Sequence, residues 1–186
     1  MEKILITGTG RCGTTFLIKI FSFLEFDTGF TRKNYHIYIS KNCNAGMERN
    51  YNEKYKILKN PRYIMNMEHI ANDPKIKIKY VIIPIRKLED AAMSRVKNKY
   101  SNGGLWKSKN YEEQIYFYNN ILANYNYIMV KYDINTIFLD FEKIITDPNY
   151  LFQKLEPILI EKNINFEKFL TIYEEVSLTC KPTNNS

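Results

Sequence analysis

Residues 8 to 15 read GTGRCGTT and follow a short apolar run, KILIT (3–7), with the composition of a buried strand. A strand, a glycine-rich turn and a helix start, in that order, make an anion cradle, because backbone N–H groups at a helix N-terminus converge on negative charge. Gly8, Gly10 and Gly13 satisfy the G-x-G-x-x-G pattern of dinucleotide folds. That fold wants an acid about 20 positions on, at the end of the next strand. Glu25 and Asp27 stand near that distance, but they follow an apolar helix with no second strand before them. Gly8, Gly13 and Thr15 also fit a nucleoside-triphosphate loop, G-x-x-x-x-G-K-[ST], yet Thr14 stands where its lysine belongs. That lysine neutralises β- and γ-phosphates while the neighbouring hydroxyl holds Mg²⁺. The strand KYVIIPI (79–85) runs into Arg86, where an Mg²⁺-orienting aspartate would be expected. Both readings are disfavoured.

A smaller anion removes these demands. A 5′-phosphate bearing a sulfuryl group needs amide donors, hydroxyls and a cation, without Mg²⁺. The turn offers the amides of residues 10 to 15, the hydroxyls of Thr14 and Thr15, and Arg11. GTGRCGTTFL resembles the 5′-phosphosulfate loop of sulfotransferases that use 3′-phosphoadenosine 5′-phosphosulfate (PAPS). VIIPIRKLEDAAMSR is similar to the same family's 3′-phosphate motif, with Arg86 at a strand end and Ser94 eight positions later on the following helix. YKILKNPRY (55–63) resembles the strand-then-K-x-P-R segment of bacterial-type members, and TIFLDFEKIITDPNYLFQKL (136–155) their late strand, acid and helix. The resemblance implies an α/β fold, a three-layer P-loop-like domain around a mainly parallel sheet, with residues 1–186 forming one domain. It further implies PAPS as donor, adenosine 3′,5′-bisphosphate as product, and no metal requirement. The nucleotide contacts it implies are Gly10, Arg11, Cys12, Gly13, Thr14 and Thr15, with Arg86 and Ser94 at the 3′-phosphate. Many relatives carry a lysine in the first loop, where this chain has Arg11. Residues 28–53 match no one subfamily.

Transfer to a hydroxyl needs a base within reach of its proton. The family uses His or Glu, positioned by the segment after the first helix. NAGMERN (44–50) looks like the Gly-x-Glu stretch that supplies the acid in several subfamilies, so Glu48 leads, ahead of His36 and His69. Glu48 also fits an exposed loop acid, and His36 a loop histidine between aromatic residues. Lys59, at a strand end, reads either as a sulfonate contact or as a solvated lysine. Trp106, the sole tryptophan, either covers the acceptor or adenine or anchors its loop in the core. A carbohydrate or small-molecule alcohol is the favoured acceptor. The competing functions are a Mg²⁺-dependent nucleotide kinase and a catalytically silent binder of adenosine bisphosphate.

These residues need a scaffold. After KILIT, an apolar helix runs from Thr14 to about Phe26, followed by a long polar and aromatic loop (28–53) of a kind often functional. KYKIL (54–58) reads as a second strand, and Pro61 opens a helix leading to Asn72. After KYVIIPI, a helix spans 88–100 with Glu89 and Asp90 in its first turn. SNGGLWKSKN (101–110) is a loop, and a long helix covers Tyr111 to Lys131. TIFLDF (136–141) is the fourth strand, and Asp147-Pro148 opens a helix ending near Leu159. Strands alternating with helices give a mainly parallel sheet.

The 186 residues, 45% hydrophobic, suit one core. A net charge of +7 favours anionic partners. The lysines are scattered among acids and no nucleic-acid-binding motif appears, so nucleic acid is not the expected partner. Cys12, Cys43 and Cys180 show no paired or zinc-type spacing, which reads as a reduced compartment. Met1 runs straight into a strand and no apolar run approaches the ~18 residues of a membrane span. A cytoplasmic protein is expected.

Overall fold

The structure is a computed structural model and describes residues 1–40, 45–98 and 103–180. Cys43, Lys181 and the expected end of the 88–100 helix lie outside the described residues. Four strands, β1 (Glu2–Ile6), β2 (Ile57–Lys59), β3 (Lys77–Ile85) and β4 (Thr136–Asp140), form one sheet in the order β2-β1-β3-β4. Every pairing is parallel, with Ile4 beside both Ile57 and Tyr80 and Ile83 beside Phe138. The sheet is thus wholly parallel where the sequence pattern predicts a mainly parallel one.

A parallel sheet is covered on both faces, so its central strands are apolar at successive positions. Alternation then divides each strand between two cores. Ile4 and Ile6 of β1 and Ile82 of β3 join Leu17, Phe21, Leu155 and Phe169 on one face. That face is covered by α1 (Thr14–Phe23), α5 (Phe141–Thr146), α6 (Pro148–Leu159) and α7 (Phe166–Cys180). Leu5, Val81 and Ile83 face the other way, onto Ile64, Met67, Ala92 and Tyr118. There α2 (Tyr63–Ala71), α3 (Leu88–Lys97) and α4 (Tyr111–Lys131) form the second layer. The result is a three-layer α/β architecture.

Local chemistry sets most boundaries. Asn110 caps α4 by accepting from the Glu113 amide, and Asp147 caps α6 from the Tyr150 amide, with Pro148 in the first turn. Asp140 ends β4 and at once caps α5, so the expected strand TIFLDF loses Phe141 to a short helix. Helix α1 stops at Phe23, where Glu25 adopts a positive φ and Phe26 turns back to bond the Phe21 carbonyl. Among the described residues of the expected loop 28–53, a 3-10 turn spans Tyr35–Tyr38 and Ile39 bridges Gly46.

Strand order locates the crevice. From β1 the chain moves to β2 at one edge, whereas β3 lies on the opposite side of β1. The C-terminal ends of β1 and β3 therefore flank a topological switch point, where open α/β sheets bind ligands.

Candidate active site

The turn after β1 is shaped by its backbone. Gly10 sits at φ 76°, and a Cβ there would lie 2.3 Å from an Arg95 guanidinium nitrogen. At this positive φ a side chain would be strained, and a Cβ would push the guanidinium aside, so glycine is what lets the turn lie close against Arg95. Arg11 itself adopts φ 57°, a strained conformation for a non-glycine residue and one that gathers at ligand-binding sites. Gly13 then begins α1 without a side-chain cap, and no acid occupies the first turn. By contrast α3 and α4 carry acids in their first turns, and Asn110 also caps α4. The first-turn amides of α1, which have no intrahelical acceptor, are left for an anion from outside the helix.

This turn forms the floor of a cleft of about 1070 Å³ above the C-terminal strand ends. Gly10, Arg11, Gly13, Thr14 and Thr15 line it from β1, and Arg86 from the end of β3. Arg11 Nε donates to Ser94 Oγ at 3.1 Å, and Arg86 Nη1 donates to the Arg11 carbonyl at 3.2 Å. Arg11, Arg86 and Ser94 are thereby joined, although Ser94 itself is not among the residues that line the cleft. The Arg86 guanidinium also lies 4.7 Å from the Phe141 ring centroid, a cation–π contact that fixes its direction. Cys12 points the other way: its thiol is wholly buried, burial pushes its pKa up, and it does not line the cleft.

The opposite wall carries Glu48 and Lys59. Lys59 ends β2 and is 1% exposed, with Nζ 2.5 Å from Glu48 Oε1 and 2.9 Å from the Gly46 carbonyl. Glu48 is 40% exposed at its side chain, so the carboxylate faces the cleft from above the buried ammonium. Its neighbours hold it there: the Arg49 amide donates to the Lys59 carbonyl, and Tyr63 and Asn60 donate to the Arg49 carbonyl. The Arg49 guanidinium packs against the rings of Phe30, Tyr38 and Tyr55. His36 is exposed on the 3-10 turn, its ring edge-on to Tyr35 at 5.9 Å, and is absent from the cleft lining while Ile37 and Tyr38 beside it belong to it. His69 pairs with the Tyr51 hydroxyl at 3.1 Å and also stays off the cleft lining. Trp106 has the anchoring role expected of it, and it also belongs to the cleft wall. It is anchored by reciprocal bonds between its main chain and the Gln114 side chain and by an edge contact with Phe117.

Several lining residues escape a reading of motifs. Arg95 follows Ser94 directly, and a second cation beside the expected serine was the available signal. Phe141 and Ile145 come from the unexpected helix α5, and Ser177 from α7, whose sequence carries no site motif.

A family model, that of the sulfotransferase domain, matches residues 1–180. The chain belongs to the sulfotransferase family. No curated protein and no solved structure matches it. Sulfuryl transfer is therefore the general chemistry of the chain, and the wholly parallel sheet with helices on both faces is a sulfotransferase's P-loop-like scaffold. No helix among the described residues of this sulfotransferase is long and apolar enough to cross a membrane.

Proposed function

We propose that this sulfotransferase moves the sulfuryl group of PAPS to the hydroxyl of a carbohydrate or small-molecule acceptor, in the cytoplasm. The observation that carries the reading is the junction at Arg11, which lines the cleft at the switch point with Arg86, its carbonyl meeting Arg86 and its side chain meeting Ser94, a residue outside the lining. The α1 amides, Thr14, Thr15 and Arg11 hold the 5′-phosphosulfate. Arg86 and Ser94 hold the 3′-phosphate, the feature that separates this nucleotide from other adenylates. An uncapped helix start preceded by a turn with glycines at positive φ fits such a group.

Glu48 accepts the acceptor's proton as that oxygen bonds to sulfur, while the bond from sulfur to the bridging phosphate oxygen breaks. Adenosine 3′,5′-bisphosphate leaves. Arg11, Lys59 and the turn amides stabilise charge on the sulfuryl oxygens and the leaving phosphate, the largest kind of contribution an enzyme makes to such a transfer. The buried free thiol of Cys12 accords with a reducing compartment. The test is incubation with sulfur-labelled PAPS and fractionated acceptors, with adenosine 3′,5′-bisphosphate binding measured in parallel. Label appearing in a hydroxyl compound together with released bisphosphate is the expected result. Binding without transfer to any acceptor class would instead support a catalytically silent binder.

A further inference from the structure

Arg95 is buried, 8% exposed, on α3. Its guanidinium donates to the Tyr118 hydroxyl, to the Gly104 carbonyl and, at 3.3 Å, to the Thr9 carbonyl, and lies 5.2 Å from the centroid of the Trp106 ring. All of these partners are neutral, and no carboxylate pairs with it among the described residues. A guanidinium does not shed its proton in proteins, and a buried charge without a counter-charge is costly. Neutral carbonyls ease that cost without cancelling the charge. Of the five N–H groups of a guanidinium, Tyr118, Gly104 and Thr9 take one each, which leaves two. The residue lines the cleft, and the turn bends around it: Gly10 lacks a Cβ at the one place where a Cβ would strike this guanidinium.

We propose that Arg95 is a further anion-binding residue of the cleft, supplying positive charge to the 5′-phosphosulfate end of the nucleotide and linking that end to the Gly104–Trp106 segment. The 5′ end is assigned because Arg95 donates to the Thr9 carbonyl and lies against Gly10, at the opening of the turn, whereas Arg86 meets the turn at the Arg11 carbonyl. The inference rests on the PAPS reading above and adds to it a counter-charge for the buried cation. It makes Arg95 a ligand-contacting residue with a second, positioning role toward Trp106.

The test measures affinity for 5′-AMP and for adenosine 3′,5′-bisphosphate by calorimetry, with emission of Trp106, the sole tryptophan, read in the same titrations. Arg95→Gln keeps hydrogen bonding and removes the charge; both ligands should weaken by a similar factor of about tenfold or more, and the nucleotide-induced change in Trp106 emission should shrink. Arg95→Lys keeps the charge and loses the fork, and should retain most of the affinity. Tyr118→Phe removes one neutral partner and should bind both ligands nearly as well as the unaltered chain. If Arg95→Gln does not fold, Arg95→Lys and Tyr118→Phe decide. Large losses in both would make Arg95 a brace and overturn the proposal, as would a loss confined to the bisphosphate or unchanged binding in Arg95→Gln. If the unaltered chain binds neither nucleotide, the PAPS reading itself has failed, an outcome distinct from all of these.

Discussion

Replacing Arg86 with alanine separates the 3′-phosphate from the rest of the nucleotide. A charge-assisted hydrogen bond between a guanidinium and a phosphate is worth about 1.5–3 kcal/mol. On a scale of 1.4 kcal/mol per tenfold, bisphosphate affinity should fall by about 10- to 150-fold. The structure adds a second effect that a motif does not reveal. Arg86 also donates to the Arg11 carbonyl at 3.2 Å, so its loss loosens the turn that holds the 5′ group. That bond has a neutral acceptor and a partly exposed donor, and contributes at most about 0.5–1.5 kcal/mol. Binding of 5′-AMP, which has no 3′-phosphate, should therefore weaken by about 2- to 12-fold at most. The diagnostic quantity is the ratio of the two losses, measured by calorimetry at one ionic strength, with thermal unfolding confirming an intact fold. A clearly larger loss for the bisphosphate is expected. Equal losses in a folded variant would refute the assignment, because Arg86 would then act only through the turn.

Glu48→Gln should lower sulfuryl transfer by ~10²- to 10⁴-fold, the usual worth of a general base, with bisphosphate affinity nearly unchanged; His36→Ala should be much milder, and the reverse pattern would make His36 the base. Because Thr14 stands where a triphosphate loop has lysine, bisphosphate binding should survive excess EDTA, and a collapse of affinity measured by titration would revive the Mg²⁺-dependent kinase reading. Burial raises the Cys12 pKa in the folded chain, so the folded state keeps a proton that the unfolded state releases from about pH 8.5. Stability in urea should accordingly decline as pH rises from about 8.5 toward 10, where unfolded tyrosines begin to titrate, and Cys12→Ala should decline less steeply; parallel curves would refute a buried thiol.

The elements that carry local signals were legible before the structure. Asn110, Asp147 and Pro148 mark helix starts by side-chain chemistry, and KILIT and KYVIIPI mark central strands by unbroken apolar runs. Arg86 and Ser94 were picked out as a pair by their resemblance to a family motif, and the structure joins each of them to Arg11. Features set by distant contacts were not legible. Helix α7 looks like an ordinary amphipathic stretch, and only its packing against α1 brings Ser177 to the cleft. Lys59 ends an apolar strand and was equally readable as solvated. Its near-complete burial follows from Glu48 and the Gly46 carbonyl covering it, contacts made by an irregular segment with no periodicity to read. Arg95 was hidden by its neighbour, since a helix surface cannot be assigned from one charged residue until α4 supplies Tyr118 on its far side.

The pairing of Lys59 with Glu48 ties donor to base under the proposed function. A carboxylate held 2.5 Å from a buried ammonium is fixed at the cleft wall by a charge-assisted hydrogen bond. Lys59, almost wholly buried, needs negative charge beside it at every stage. When the negatively charged sulfonate enters the cleft, Lys59 has a second anion to serve, and its hold on Glu48 weakens as the sulfonate satisfies it. Glu48 is suited to this exchange in a way His36 is not, because Glu48 lines the cleft and shares a cation with the transferring group, whereas His36 sits outside the lining against Tyr35. Glu48's place in the cleft lining and its contact with a buried lysine are thus the geometric grounds for proposing it as the base ahead of His36.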